Sequence, residues 1–269
     1  MQTAQLEKYA NQIRQTIIIS LLHAGSGHPA GALGFADLFA YLYFSDFLKV
    51  NPKNPKMEER DRLYLSCGHY APGLYSALAL KGFFSIKDLS GLRDVNGIDG
   101  HPILGQLPGI ENSAGPLGQG ISQAIGSALA HQDTNIKTVC IISDGELQEG
   151  QTWEALMFMG NSRLKNLTVI LDRNDIQISG NTNEVMPLEP LKEKFDSFNL
   201  ITQTINGNDF KEIDEALTKT NLFDRPNVVI AETVAGKGIS FMENDYLWHG
   251  RAPNKEEALE AINELKNPQ

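Results

Sequence analysis

The hydrophobic residues of this chain follow a helical period at the start and later fall into short runs between amphipathic segments. Over the first stretch, apolar residues recur every three to four positions: Leu6, Ala10, Ile13, Ile17 and Leu21. This spacing predicts an amphipathic helix. The glycine-rich segment HAGSGHPAGALG (residues 23–34) should break it, and a second apolar helix should follow to about Leu48.

The rest of the chain alternates apolar runs with helical patterns. Strands are predicted at residues 62–66, 137–142, 167–172, 200–205 and 228–234. Helices are predicted at residues 71–81, 86–93, 117–131, 149–163, 188–195, 210–218 and 255–265. This alternation is typical of a doubly wound α/β fold with a mainly parallel sheet flanked by helices, which binds ligands at the carboxyl ends of its strands. No internal repeat or linker is visible, so we expect a single domain over residues 1–269.

Composition and charge exclude several classes of function. The apolar fraction of 41% and the charged fraction of 21% are those of a folded globular protein. A net charge of −10 argues against a nucleic-acid interface, so an anionic ligand needs local devices such as a metal or a helix N-terminus. Cys67 and Cys140 lack metal-type spacing, and no run is long or ordered enough for a membrane span or signal peptide. We expect a cytoplasmic protein without membrane contact.

Two strand ends carry oxygen ligands suited to a divalent metal. Asp144 follows the apolar run at residues 138–142, and Asn174 follows the run at residues 167–171. Mg²⁺ prefers octahedral oxygen coordination, shared among a few protein oxygens and phosphate oxygens. Asp144, Asn174 and the main-chain carbonyl of Ile176 are therefore the predicted protein ligands of a Mg²⁺ ion that holds a diphosphate.

A glycine-rich turn lies between these features and the first half of the chain. GPLGQG (residues 115–120) opens a predicted helix, where main-chain N–H groups and the helix dipole favour a phosphate. Its order of glycines is not that of the dinucleotide-binding fingerprint. On its own such a turn is more often required by packing than by phosphate binding.

Four of the six histidines stand beside glycines or prolines in predicted loops: His28, His69, His101 and His249. Histidines in such places can move protons or form hydrogen bonds with hydroxyl groups near neutral pH. One such residue alone is better explained as structural. Four in similar surroundings favour a shared pocket, whereas His23 and His131 belong to helical stretches.

Together these motifs resemble the transketolase family of thiamine diphosphate enzymes, and specifically its diphosphate-binding half. The resemblance rests on SGHP, on Gly-His at 68–69, on GHP at 100–102, on GPLGQG, on DGELQEG at 144–150, on Asn-Asp-Ile at 174–176 and on WHG at 248–250. Ser143 stands where the family often has glycine, and Tyr246 stands where it has the first histidine of a pair.

The resemblance implies roles for individual residues. Asp144, Asn174 and Ile176 would bind Mg²⁺. Contacts with thiamine diphosphate are implied for His69, Gly115, Pro116, Leu117, Gly145, Glu146, Asn174 and His249. His28, His101 and His249 would bind the sugar, with His28 and His249 also in catalytic roles.

The resemblance also implies a partner. A full-length transketolase continues into a pyrimidine-binding domain and a C-terminal domain, and this sequence ends at Gln269. We therefore expect the N-terminal subunit of a split transketolase, joined to a separate C-terminal subunit in a heterotetramer of two copies of each. Such an enzyme moves a two-carbon ketol unit between sugar phosphates, in the pentose phosphate pathway or on unusual sugars.

Three alternatives remain open from the sequence. The chain could be the diphosphate-binding part of an enzyme similar to deoxyxylulose phosphate synthase, which shares several motifs. A subunit of a two-oxo-acid dehydrogenase fits SGHP and GPLGQG less well. A non-catalytic remnant that binds Mg²⁺ and diphosphate would have little need of four pocket histidines.

Overall fold

The computed structural model describes residues 2–267. Its strands are β1 (Arg62–Leu65), β2 (Thr138–Ser143), β3 (Leu167–Arg173), β4 (Ile176–Gln177), β5 (Gly180–Asn181), β6 (Ile201–Asn206) and β7 (Asn227–Glu232). Its α-helices are α1 (Thr3–Ala24), α2 (Pro29–Gly34), α3 (Ala36–Phe44), α4 (Ala71–Lys81), α5 (Gly120–Ala130), α6 (Gly150–Ser162), α7 (Thr182–Val185), α8 (Leu191–Ser197), α9 (Phe210–Thr220) and α10 (Lys255–Lys266). Short 3₁₀ turns cover Gly68–Tyr70, Ile86–Gly91, Asp144–Gln148 and Tyr246–Trp248.

The main sheet has five parallel strands in the order β1-β2-β3-β7-β6. In the central pair, Thr138 lies opposite Leu167 and Ser143 lies opposite Asp172. β2 and β3 therefore end together, and the residues after them meet at one edge of the sheet. The predicted doubly wound, mainly parallel α/β fold is confirmed.

Side chains alternate along the central strands and supply a hydrophobic core on each face of the sheet. In β2, Val139 and Ile141 belong to the core beneath α1, α3 and α4, whereas Cys140 and Ile142 belong to the core beneath α5 and α6. This is the period of two that a strand covered on both faces requires. Both cysteines are buried and free, as small core residues.

Several predicted boundaries were wrong, each for a local reason. α2 begins at Pro29, inside the glycine-rich segment, because proline at the first helical position costs no hydrogen bond. The helix predicted from residue 117 begins only at Gly120, since Gly118 has a left-handed φ of 78°. The segment predicted as a helix at residues 86–93 is a 3₁₀ turn. The hairpin of β4 and β5 was missed because two-residue strands carry no readable period.

Within residues 2–267, none of the helices is both long and apolar enough to span a bilayer.

Candidate active site

A cavity of about 260 Å³ opens at the carboxyl ends of β2 and β3. It is lined by His69, Tyr70, Leu117, Ser143, Asp144, Gly145, Gln148, Glu149, Ile176, Gln177, Ile178, Ser179 and His249. Six residues predicted from the sequence are among them. A larger groove of about 920 Å³ between α1, α9 and α10 contains none of the predicted residues, so the chemistry points to the smaller cavity.

Asp144 begins the turn after β2 and is almost completely buried. Its Oδ1 accepts a hydrogen bond of 2.8 Å from the N–H of Gly145, and its Oδ2 accepts one of 2.8 Å from the N–H of Asp175. The second bond joins the turn after β2 to the segment after β3. Burial raises the pKa of the Asp144 carboxyl group to about 6, although Arg173 and these N–H groups act in the opposite direction.

Arg173, the last residue of β3, was not predicted as part of the site. Its Nη1 lies 3.1 Å from Oδ2 of Asp144 and also donates to Asp175 and, at 2.8 Å, to Thr182. One guanidinium therefore joins the metal-type carboxylate to the segment that carries β4 and α7. Its position between Asp172 and Asn174 was the only signal in the sequence.

Asn174 is held by a buried cluster behind the cavity. Its Nδ2 donates to the Tyr70 hydroxyl at 2.8 Å and to Asp172 at 2.7 Å. Its Oδ1 accepts from the N–H of Ile176 at 3.1 Å. The orientation of the amide is thus fixed, with its oxygen on the side of Ile176, the third predicted metal ligand.

The structure places Glu146 away from the cavity, in contrast to the predicted cofactor contact. Its carboxylate is fully buried and accepts from Ser66 Oγ at 2.6 Å, from the N–H of Gly118 at 2.7 Å and from the N–H of Ser143 at 3.0 Å. Ser66 Oγ in turn accepts from the N–H of Gly120 at 3.0 Å. Glu146 therefore positions the glycine-rich turn relative to the ends of β1 and β2, because all its acceptor sites face protein donors.

The glycines around the cavity fall into two groups. A Cβ on Gly118 would lie 2.8 Å from Thr152, and one on Gly120 would lie 2.5 Å from the backbone of Ser66, so packing requires both. A Cβ on Gly115 or Gly145 would meet no atom within 4 Å. At Gly145, which lines the cavity, the missing side chain leaves open space. Gly115 and the exposed Pro116 are not among the lining residues.

The structure brings the four loop histidines together. The ring of His28 lies 5.3 Å from that of His69, 5.8 Å from that of His249 and 6.3 Å from that of His101. His69 and His249 are 5.4 Å apart. We call this arrangement the histidine row. His23 and His131 lie outside it.

Burial and mutual repulsion keep the histidine row uncharged. Desolvation lowers the pKa of His28 to about 4, with smaller contributions from His249, Arg93 and His101, and desolvation also lowers the pKa of His249 to about 4. The pKa values of His69 and His101 are lowered for the same main reason. Among the described residues, Nδ1 of His28 and Nε2 of His69 are buried without a hydrogen-bond partner.

The oxygen atoms at the two strand ends fit a Mg²⁺ ion that shares its coordination with a ligand. Within residues 2–267 there is no group of three or more His, Cys, Asp or Glu side chains that could hold a metal by themselves. Asp144 supplies one carboxylate, and Asn174 and Ile176 supply an amide and a carbonyl oxygen nearby. Such a set leaves positions for phosphate oxygens, as Mg²⁺ sites commonly do.

A parallel sheet with a phosphate-type turn, oxygen ligands at two strand ends and a row of neutral histidines defines a cofactor-dependent enzyme domain. Residues 6–266 match the family model described as transketolase, thiamine diphosphate binding domain. The chain belongs to the transketolase family and corresponds to its thiamine diphosphate-binding domain.

Two similar proteins are named as separate transketolase subunits. The 6-deoxy-6-sulfo-D-fructose transketolase subunit SqwG of Clostridium sp. (strain MSTE9) is 40% identical, with 98% of each chain covered. A subunit of the apulose-4-phosphate transketolase of Phocaeicola vulgatus is 35% identical, with 98% of this chain and 95% of that protein covered. The chain thus matches proteins of this subunit type along almost their whole length.

The fold is also that of solved transketolases. The crystal structure of transketolase from Campylobacter jejuni superposes with a TM-score of 0.93 at 33% identity, covering 99% of this chain. The chain spans 43% of that longer protein.

Proposed function

We propose that this chain is the thiamine diphosphate-binding subunit of a two-subunit, Mg²⁺-dependent transketolase. It transfers a two-carbon ketol unit from a ketose donor to an aldose acceptor. Residues 1–269 act as one such domain, in the cytoplasm, with a second subunit that carries the pyrimidine-binding domain. The observation that carries the proposal is the meeting of Asp144, Asn174 and Ile176 beside a cavity that also borders the histidine row.

The chain's own residues hold the cofactor at its diphosphate end. Asp144, Asn174 and the carbonyl of Ile176 bind Mg²⁺, while Gly115 to Leu117, with the main chain of Gly145, approach the diphosphate. The open space at Gly115 and Gly145 supports this, because the fold itself has no use for glycine there. Thiamine diphosphate, when bound, supplies the nucleophilic carbon needed to cleave a carbon–carbon bond beside a carbonyl group.

The histidine row binds the sugar and moves protons. A neutral imidazole has one nitrogen that donates and one that accepts, so it can bind sugar hydroxyls and exchange a proton with them. His28 and His249 hold this role in catalysis, with His101 at the sugar and His69 beside the cofactor. The unpartnered ring nitrogens of His28 and His69 support a ligand in this position, since buried polar atoms usually have a partner.

The partner subunit completes each active site in a heterotetramer of two copies of each chain. The names of the similar proteins support a two-subunit enzyme. They also support sugars that carry a phosphate or sulfonate group as substrates. A pentose phosphate pathway role and a role with rarer sugars are both consistent with this chemistry.

Calorimetry on the two-subunit complex tests the proposal. We expect Asp144→Ala to weaken thiamine diphosphate binding in the presence of Mg²⁺ by about 100-fold, because a metal ligand is lost. Asp133→Ala, at an exposed position between α5 and β2, is the matched control and should bind normally. Unchanged affinity in Asp144→Ala would refute the proposed site, and turnover by the purified chain alone would refute the need for a partner.

A further inference from the structure

Arg93 lies beside the histidine row, in a space made by two glycines. A Cβ on Gly100 would lie 2.5 Å from Nε and 2.7 Å from Cζ of Arg93, and a Cβ on Gly27 would lie 3.6 Å from the same Nε. Gly27 precedes His28, and Gly100 precedes His101. The guanidinium is thus packed against the main chain of the two loops that carry these histidines.

The guanidinium has no anionic partner in residues 2–267. Arg14, Arg60, Arg62, Arg173, Arg225 and Arg251 each lie within 4.0 Å of a carboxylate oxygen. Arg93 does not, and its Nε is buried without a hydrogen-bond partner. Since a partly buried cation is costly unless it is paired, this arrangement suits an anion that comes from outside the described chain.

The loop that carries Arg93 is closed by its own backbone. The N–H of Arg93 donates to the carbonyl of Ile98 at 2.6 Å, and the N–H of Ile98 donates to the carbonyl of Gly91 at 2.9 Å. Arg93 itself has a φ of 65°, in the left-handed region that non-glycine residues seldom adopt. Such outliers are retained mainly where a side chain must point in a required direction.

Arg93 stands at the end of the histidine row away from the metal-type ligands. Its positive charge contributes to the lowered pKa values of His28 and His101, but it is not a cause of the shifts of His69 and His249. His69 and His249 line the cavity beside Asp144, whereas His28 and His101 do not. A sugar along the row, with its reacting carbonyl near the cavity, would have its far end beside Arg93.

We propose that Arg93 binds the anionic group, a phosphate or a sulfonate, at the far end of the sugar substrate and so determines specificity from within this chain. This inference rests on the proposed function. A guanidinium suits a tetrahedral oxyanion because its planar fork can donate two parallel hydrogen bonds. Neutral histidines bind hydroxyls along the sugar, and the one free cation beside them in the described structure binds its charged end.

The test uses the two-subunit complex with thiamine diphosphate and Mg²⁺ bound, and three sugars that differ only at carbon 6. These are fructose 6-phosphate, 6-deoxy-6-sulfofructose and fructose. Calorimetry gives their dissociation constants for the wild type, Arg93→Gln and Arg93→Lys, and KM and kcat are measured for whichever sugars turn over. Arg163→Gln is the control: Arg163 is also an arginine without a carboxylate partner in the described chain, but it precedes β3 at the opposite edge of the sheet.

In the wild type we expect at least one anionic sugar to bind more tightly than fructose, and the stronger of the two identifies the natural charged group. Arg93→Gln should weaken binding of that sugar at least 10-fold and raise its KM, while fructose binding and kcat change less than 2-fold. Arg93→Lys should recover part of the loss, and Arg163→Gln should behave as wild type. Thermal unfolding of each complex confirms that the variants are folded and assembled.

Several results would overturn the assignment of Arg93 without touching the proposed function. They are equal wild-type affinity for all three sugars, equal losses for fructose and the anionic sugars in Arg93→Gln, and an unchanged affinity in that variant. Failure of Arg93→Gln and Arg93→Lys to bind the second subunit would instead assign Arg93 to a carboxylate of the partner. If the wild-type complex did not bind thiamine diphosphate, the proposed function itself would fail first.

Discussion

Nη1 of Arg173 lies 3.1 Å from Oδ2 of Asp144, and the two side chains are 9% and 2% exposed. A carboxylate this deeply buried is costly to ionise without a positive charge nearby. The arginine provides that charge within the polypeptide itself. The stability of the chain without its cofactor and the charge state of the proposed metal ligand therefore depend on the same contact.

We expect Arg173→Gln to lower the free energy of unfolding of the cofactor-free chain by about 3 kcal/mol, because it leaves a buried carboxylate unpaired. Mg²⁺ with thiamine diphosphate should raise the melting temperature of this variant more than that of the wild type, since the metal replaces the missing charge. Urea and thermal unfolding measure both effects. Arg225→Gln, which breaks an exposed ion pair, should change stability by less than about 0.5 kcal/mol. Equal losses in the two variants would contradict this account.

Glu146→Ala should destabilise the chain by about 3 kcal/mol or more, since three buried donors lose their acceptor at once. Glu146→Gln keeps one oxygen but turns an amide donor toward another donor, so an intermediate loss is expected. Urea unfolding measures both, with the exposed Glu154→Ala on α6 as the control. A loss no larger than that of the control would show that the network contributes little.

Two glycine substitutions should have opposite consequences. Gly118→Ala places a side chain at a φ of 78° against Thr152 and should cost about 2 kcal/mol of stability. Gly145→Ala meets no protein atom, so stability should stay within about 0.5 kcal/mol of the wild type. Its affinity for thiamine diphosphate should nevertheless fall, because the methyl group enters the cavity. Calorimetric melting and cofactor titration of the pair separate the two roles, and a normal affinity in Gly145→Ala would place the diphosphate elsewhere.

Stability should also depend on the protonation of the histidine row. The folded pKa values of His28 and His249 are about 4, below the value of 6.5 in an unfolded chain. Above pH 6.5 both residues are neutral in both states. As the pH falls from 6.5 toward 4, only the unfolded chain gains their protons, so the free energy of unfolding decreases.

Replacement of either histidine by asparagine should make this decrease shallower by about one proton. Urea unfolding at a series of pH values measures the slope. His23→Asn, at an exposed position on α1, is the control and should leave the acid-side slope close to that of the wild type. Slopes that match the wild type in His28→Asn and His249→Asn would show that neither ring is held neutral. The charged and titratable groups around His28 are Arg93, His69, His101 and His249.

The sequence was sufficient where position along a strand determines position in space. Asp144 and Asn174 each follow a buried apolar run, and neighbouring parallel strands place such residues at one edge. The convergence of the loop histidines was predicted from their similar surroundings, and the structure brings them together. In both cases a local pattern already contains the information that the fold uses.

The sequence was not sufficient where the direction of a side chain decides. Glu146 and Glu149 are three residues apart in the same segment, yet Glu146 is fully buried and Glu149 is exposed on the cavity side. A 3₁₀ turn separates them, and its course depends on tertiary contacts that no periodicity reports. Arg173 and Arg93 were missed for the same reason, since the partners of an arginine lie far away in the sequence.

The alternation of β2 between two cores has a practical consequence for engineering this domain. Removing or adding one residue in β2 would send Val139 and Ile141 to the opposite face, and it would also displace Asp144 from the strand end. Loop grafts or chimeras with related subunits should therefore join outside the strands, where a change of length leaves both the packing and the catalytic edge in register.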